Sequence, residues 1–94
     1  MSAYWIAHVT VHDVNQYQKY MDLAPEAFKK FNARFLARGG QHFCLEGQPF
    51  EKHVIIQFES LTAAKNCYDS PEYALARQQR QGCCDVSVVI VESL

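Results

Sequence analysis

From Tyr4 to Val11 the chain reads Tyr-Trp-Ile-Ala-His-Val-Thr-Val, an aromatic and β-branched run whose alternation sends Trp5, Ala7, Val9 and Val11 to one face. That is a strand. Its other face carries Ile6, His8 and Thr10, so it is apolar in part as well. A sheet built around this strand needs cover on both sides, and the remaining sequence has to supply it.

Asp13 is placed to cap a helix, with Gln16 three residues on to reach back. Val14, Tyr17, Tyr20 or Met21, Ala24, Ala27 or Phe28, and Phe31 then recur at helical spacing. Pro25 falls inside that stripe, and a proline removes a backbone donor and clashes with the preceding turn, which predicts a kink or two abutting helices near Leu23 to Pro25. Arg34 to Arg38 alternates again. Gly39-Gly40 interrupts before His42-Phe-Cys-Leu45 resumes, predicting a bent strand with a glycine bulge, and Gly47-Gln-Pro49 makes a turn. A third strand runs from about Lys52 to Phe58, with Val54, Ile56 and Phe58 on one side and His53, Ile55 and Gln57 on the other. Ser60 caps a helix from Leu61 to Tyr68, and Ser70-Pro71 opens another to about Arg80, with Gly82 beyond its end. Val86 to Val91 is the last strand.

This order, β-α-β-β-α-β, predicts an α+β ferredoxin-like fold, a four-stranded antiparallel sheet with its helices on one face. At 94 residues the chain holds one such domain, 1–94. The sheet's second face is predicted to present Ile6, His8, Thr10, Leu36, Ile55, Gln57, Val89 and Val91, too apolar a patch to leave wet. A second copy of the chain is the economical cover, so a homodimer is expected.

Nine basic against ten acidic residues leave a net charge of -1, which excludes a whole-chain field for nucleic acid. The short apolar runs exclude a membrane span, and without an export signature the chain is expected in the cytoplasm with Cys44, Cys67, Cys83 and Cys84 reduced. No cysteine or histidine pairs recur at zinc-ligand spacing; His8 and His12 are four apart, but on a strand rather than a helix. Neither metal nor cofactor is expected.

Arg34 and Arg38 lie four apart on one predicted strand face, about 13 Å along an ideal rise. They suit an anionic ligand; the plain alternative is a solvated edge or ion pairs to Glu46 or Glu59. Tyr17, Tyr20, Tyr68 and Tyr73 offer apolar walls with hydroxyl donors for an aromatic ligand, or ordinary core filling. Arg77, one turn after Tyr73, points to the same place or pairs with Glu72 or Asp85. His8 is the proton-transfer candidate, since histidine titrates near neutrality, with a hydrogen-bonded interface role as its alternative. The expected pocket lies between helices and sheet, walled by Tyr17, Tyr20 and Tyr68 with an arginine at its mouth, for a small aromatic and acidic molecule.

The stretches Ala3-Tyr-Trp-Ile-Ala7, Arg34-Phe-Leu-Ala-Arg-Gly-Gly40 and Tyr68-Asp-Ser-Pro-Glu-Tyr73, in this order, resemble the bacterial family called domain of unknown function 1330. The resemblance spans essentially the whole chain. It implies the dimeric α/β-barrel superfamily, whose relatives include cofactor-free antibiotic-biosynthesis-type monooxygenases, lactone isomerases, haem-handling enzymes and members without known activity. Cys67, where a tryptophan is usual, and His8 depart from the pattern. The functional expectation is a cofactor-independent enzyme, monooxygenase- or isomerase-like, acting on a hydrophobic or aromatic substrate. Its alternative is a non-catalytic dimeric module that binds a ligand or another protein.

Overall fold

A computed structural model describes residues 1–94. The opening strand is β1 (Ala3–Val11), and burial follows its alternation: Ala3, Trp5, Ala7 and Val9 are buried, while the residues between them are half-exposed. β1 is central, antiparallel to β3 (Lys52–Phe58) on one side and β4 (Cys84–Glu92) on the other. β2 (Arg34–Arg38) pairs with the far edge of β3, giving the order β2-β3-β1-β4 of a ferredoxin-like sheet.

Three helices, α1 (Val14–Lys30), α2 (Leu61–Asp69) and α3 (Pro71–Arg80), lie over one face. Each starts at a side-chain cap: Asp13 accepts from the Gln16 amide, Ser60 from Ala63 and Ser70 from Tyr73. Gln16 does not reach back to its own cap. Its amide instead donates to the carbonyls of Gln79 and Gln81, fastening the start of α1 to the end of α3. A single helix runs through Pro25 rather than two abutting ones. Val14, read as the first member of the buried stripe, is exposed, and burial starts at Tyr17.

The segment after β2 differs from the sequence expectation. The register shift falls at Leu36, between Phe35 and Ala37, instead of at Gly39-Gly40, and no strand resumes at His42 to Leu45. Arg38 pairs with Val54, and the Gly39 amide still bonds the His53 carbonyl at 3.1 Å. β3 begins at Lys52, so little partner strand remains, and Gly39 turns the chain away with φ +70°.

Fifteen side chains form the core, all between helices and sheet. The molecule measures 34 × 32 × 17 Å, the short dimension of two layers, and on the sheet's other face the loop after β2 packs against His8 and His53 while the apolar residues beside them stay open. There Leu36, Ile55, Val89 and Val91 are 36–53% exposed, and the following loop adds Phe43 and Leu45. No helix is long and apolar enough to cross a membrane.

Cys67 is fully buried on α2, and burial, with Glu72 nearby, pushes its thiol from an ordinary 9.0 up to about 12. In the unfolded chain the thiol loses its proton first, so stability present below about pH 9 declines as pH rises towards 12. We expect the melting temperature to fall across that window and Cys67→Ala to flatten the decline. Equal slopes in both proteins would rule out this thiol as the cause.

Candidate functional site

Between α1 and the helix-facing side of the sheet lies a cavity of about 420 Å³, near the lower end of the roughly 300–1,000 Å³ usual for small-molecule sites. Its floor is Trp5, Ala7 and Val9 of β1 with Val54 and Ile56 of β3, the inward set that strand alternation dictates. Tyr17, Tyr20, Met21, Ala24, Pro25 and Phe28 of α1 form the roof, and Phe35 closes one side. The short side chains Ala7 and Ala24 face this space.

One end is polar. Arg80, in the last turn of α3, is only 8% exposed, and its Nη1 donates to the Tyr73 hydroxyl at 3.2 Å. The Tyr73 and Tyr20 hydroxyls are 2.8 Å apart, and the Arg80 guanidinium lies 4.5 Å from the centre of the Tyr20 ring. Burial raises both phenols above their ordinary 10.0 while Arg80 pulls each back; both are neutral hydrogen-bond donors around pH 7. Burial also pushes Tyr17 up to about 12. At the rim Arg38 covers the Phe35 ring at 4.4 Å, and the Lys52 ammonium is 5.4 Å from the Tyr17 ring. Three cations therefore line the cavity, and no aspartate, glutamate or histidine does.

Of the residues singled out in the sequence, the fold gathers Tyr17, Tyr20, Tyr73 and Arg38 at this cavity. Arg34 and Arg38 are not on one face. With Leu36 bulged out, Arg34 pairs with Gln57, on the outer face, and Arg38 with Val54, which faces the helices. Neither arginine pairs with Glu46 or Glu59; the ion pairs are His12–Asp85, Lys30–Glu72 and Lys65–Asp69. Tyr68 and Arg77 lie outside the lining. Tyr68 packs against Trp5 at 5.7 Å, and Arg77 stacks on Tyr68 at 4.3 Å and donates to its hydroxyl at 3.1 Å.

His8 is across the sheet from the cavity. Its Nδ1 is 2.7 Å from Nδ1 of His53, and with His42, Cys44 and Phe50 the two line a shallow depression on the outer face. Burial, then the neighbouring His42 and His8, lower the His53 pKa below its ordinary 6.5. No group of three or more histidine, cysteine, aspartate or glutamate side chains is placed to hold a metal ion.

Arg80 and Lys52 went unremarked in the sequence. A signal existed for both: Tyr73, Ala76 and Arg80 share the buried stripe of α3, and Lys52 has the parity of Val54 and Ile56. What concealed Arg80 is the rule that arginine avoids full burial.

The chain matches the family model described as Domain of unknown function (DUF1330) over residues 2–94. No curated protein matches its sequence. Among solved structures it is similar to a protein of unknown function from Rhodopseudomonas palustris, with TM-score 0.81 and 16% identity, covering 99% of this chain and 82% of that one. A dimeric ferredoxin-like protein of unknown function from Jannaschia sp. CCS1 gives TM-score 0.69 at 12% identity, covering 99% and 100%. SnoaB, a cofactor-independent oxygenase from Streptomyces nogalater, gives 0.65 at 10%, covering 99% and 93%.

Tyr73→Phe removes the hydroxyl that Arg80 bonds, whereas Tyr20→Phe removes a neutral partner of Tyr73. Hydrogen bonds to charged groups contribute about 1.5–3 kcal/mol and neutral ones about 1 kcal/mol. Urea unfolding should show Tyr73→Phe as the more destabilising change; the reverse order would mean that the Arg80 contact contributes little.

Proposed function

The chain belongs to the DUF1330 family, which has no assigned reaction, and on that premise we propose a homodimeric, cofactor-independent enzyme whose cavity takes a small hydrophobic, aromatic substrate. The observation that carries this reading is the hydrogen-bonded Arg80–Tyr73–Tyr20 chain at one end of a mainly apolar cavity. An interior filled with side chains would have favoured a non-catalytic module. A carbonyl or hydroxyl oxygen on the substrate sits against the two phenols. As that oxygen gains negative charge during an isomerisation or oxygenation, the phenols and the guanidinium behind them stabilise it, most strongly where water is excluded. The lining supplies no carboxylate or imidazole, so its contribution is to hold negative charge. The resemblance to SnoaB, described as a cofactor-independent oxygenase, is in keeping with chemistry of this kind.

Homodimerisation runs through the outer sheet face. Ile6, Ile55 and Val89 are neighbours there by register, flanked by Leu36 and Val91, and the Jannaschia protein is described as dimeric. Ile55→Asp places an unpaired carboxylate in that contact. Sedimentation equilibrium at micromolar protein should show a dimer for the parent chain and a monomer for the variant; a monomeric parent removes this part of the proposal.

Trp5, the one tryptophan of the chain, lines the cavity and reports on its occupancy. The neutral ketone 2-acetylnaphthalene should quench Trp5 emission to a plateau. Tyr20→Phe should weaken its binding about fivefold, the effect of losing one neutral hydrogen bond. Quenching without saturation would mean that the cavity does not take such a molecule.

A further inference from the structure

Arg80 poses a charge problem that the chain does not solve. Arg80 as a residue is only 8% exposed, and its guanidinium takes part in none of the three ion pairs. Its one hydrogen-bond acceptor within the chain is the neutral Tyr73 hydroxyl. A buried charge is ordinarily paired, because taking it out of water is unfavourable unless an opposite charge compensates. The faces of Tyr20 and Tyr73, with centres 4.5 and 5.8 Å away, compensate in part, as does the position at the end of α3, where the helix dipole favours a cation. No full counter-charge is present. Arg80 lines the cavity, and its remaining nitrogens are not among the side-chain atoms sealed off without a partner. Arg38 and Lys52 add two more positive charges to the same lining, with no acid to balance them.

Resting on the cavity reading above, we propose that the molecule bound there is an organic carboxylate, its aromatic body on the Trp5, Phe28 and Ile56 surface and its carboxylate against Arg80. A carboxylate is the anion that fits. It is planar, matches the guanidinium fork, and is small enough to leave the rest of the space to apolar atoms. It completes the ion pair that the fold leaves half-built, while the Tyr20–Tyr73 pair, one of whose two protons is held in the bond between them, donates its remaining proton to one of the ligand's oxygens. Arg38 and Lys52, less buried at the rim, draw the anion in and disfavour cations.

The test compares probes of one shape and different charge by saturable quenching of Trp5: 2-naphthoate, the neutral 2-acetylnaphthalene, and the cation 2-naphthylmethylammonium. In the parent protein 2-naphthoate should bind at least about thirtyfold more tightly than the ketone, and the cation should bind weakest. Arg80→Gln should reduce the preference for naphthoate over ketone to within about twofold. Should Arg80→Gln not fold, the parent protein still decides the matter, because the Arg80 Nε–H resonance should shift with naphthoate and stay in place with the ketone. Equal binding of acid and ketone, or an unmoved Arg80 resonance with naphthoate bound, overturns the carboxylate assignment and leaves the cavity reading standing. A preference that survives Arg80→Gln also overturns it. If neither naphthalene probe saturates, the cavity reading fails and this inference fails with it.

Discussion

Trp5 is the side chain on which the molecule is assembled. From the first half of β1 its ring meets Phe28 of α1 edge-on at 5.2 Å, stacks on Phe58 of β3 at 5.7 Å, and meets Tyr73 of α3 edge-on at 5.1 Å. Tyr68 of α2 completes the ring of neighbours. One indole thus touches each helix and a neighbouring strand, the dense aromatic packing that a chain of this size needs if a single core is to hold it. Because Trp5 also forms part of the cavity floor, the packing that fixes the fold fixes one wall of the site.

The two faces of β1 have different demands. Inward residues are packed by the chain itself; outward residues wait for cover, and three of the four histidines, His8, His42 and His53, gather on that side. The candidate chemistry is on the other side, where positive charge and phenols meet in one cavity. A histidine in mid-strand therefore says little about catalysis until its face is known, and here parity alone separates His8 from the cavity.

The order and pairing of elements were legible in the sequence because alternation in β1 and β3, the caps Asp13, Ser60 and Ser70, and Pro71 at a helix start are local signals. Tyr17, Tyr20 and Tyr73 were legible for the same reason, since each recurs at helical spacing on a face that has to be buried. Two kinds of feature were not. The bulge at Leu36 depends on pairing with β3, and nothing in Arg34 to Arg38 marks which residue is extra. The burial of Arg80 depends on the space left between α1 and the sheet, which no local pattern encodes. Arg77 and Arg80 differ little in sequence context, yet one rests on Tyr68 and the other enters the interior.

The bulge has an evolutionary corollary. Leu36 is the surplus residue of β2, exposed, with Phe35 and Arg38 keeping the inward parity on either side of it. Removing it would leave a regular five-to-four shortened ladder in which Arg38 still points at the helices, while the opposite surface loses a large aliphatic group. Small insertions and deletions at this point therefore alter the exposed face of the sheet and leave the cavity-lining parity of Phe35 and Arg38 alone, so the two faces can drift separately within one short strand.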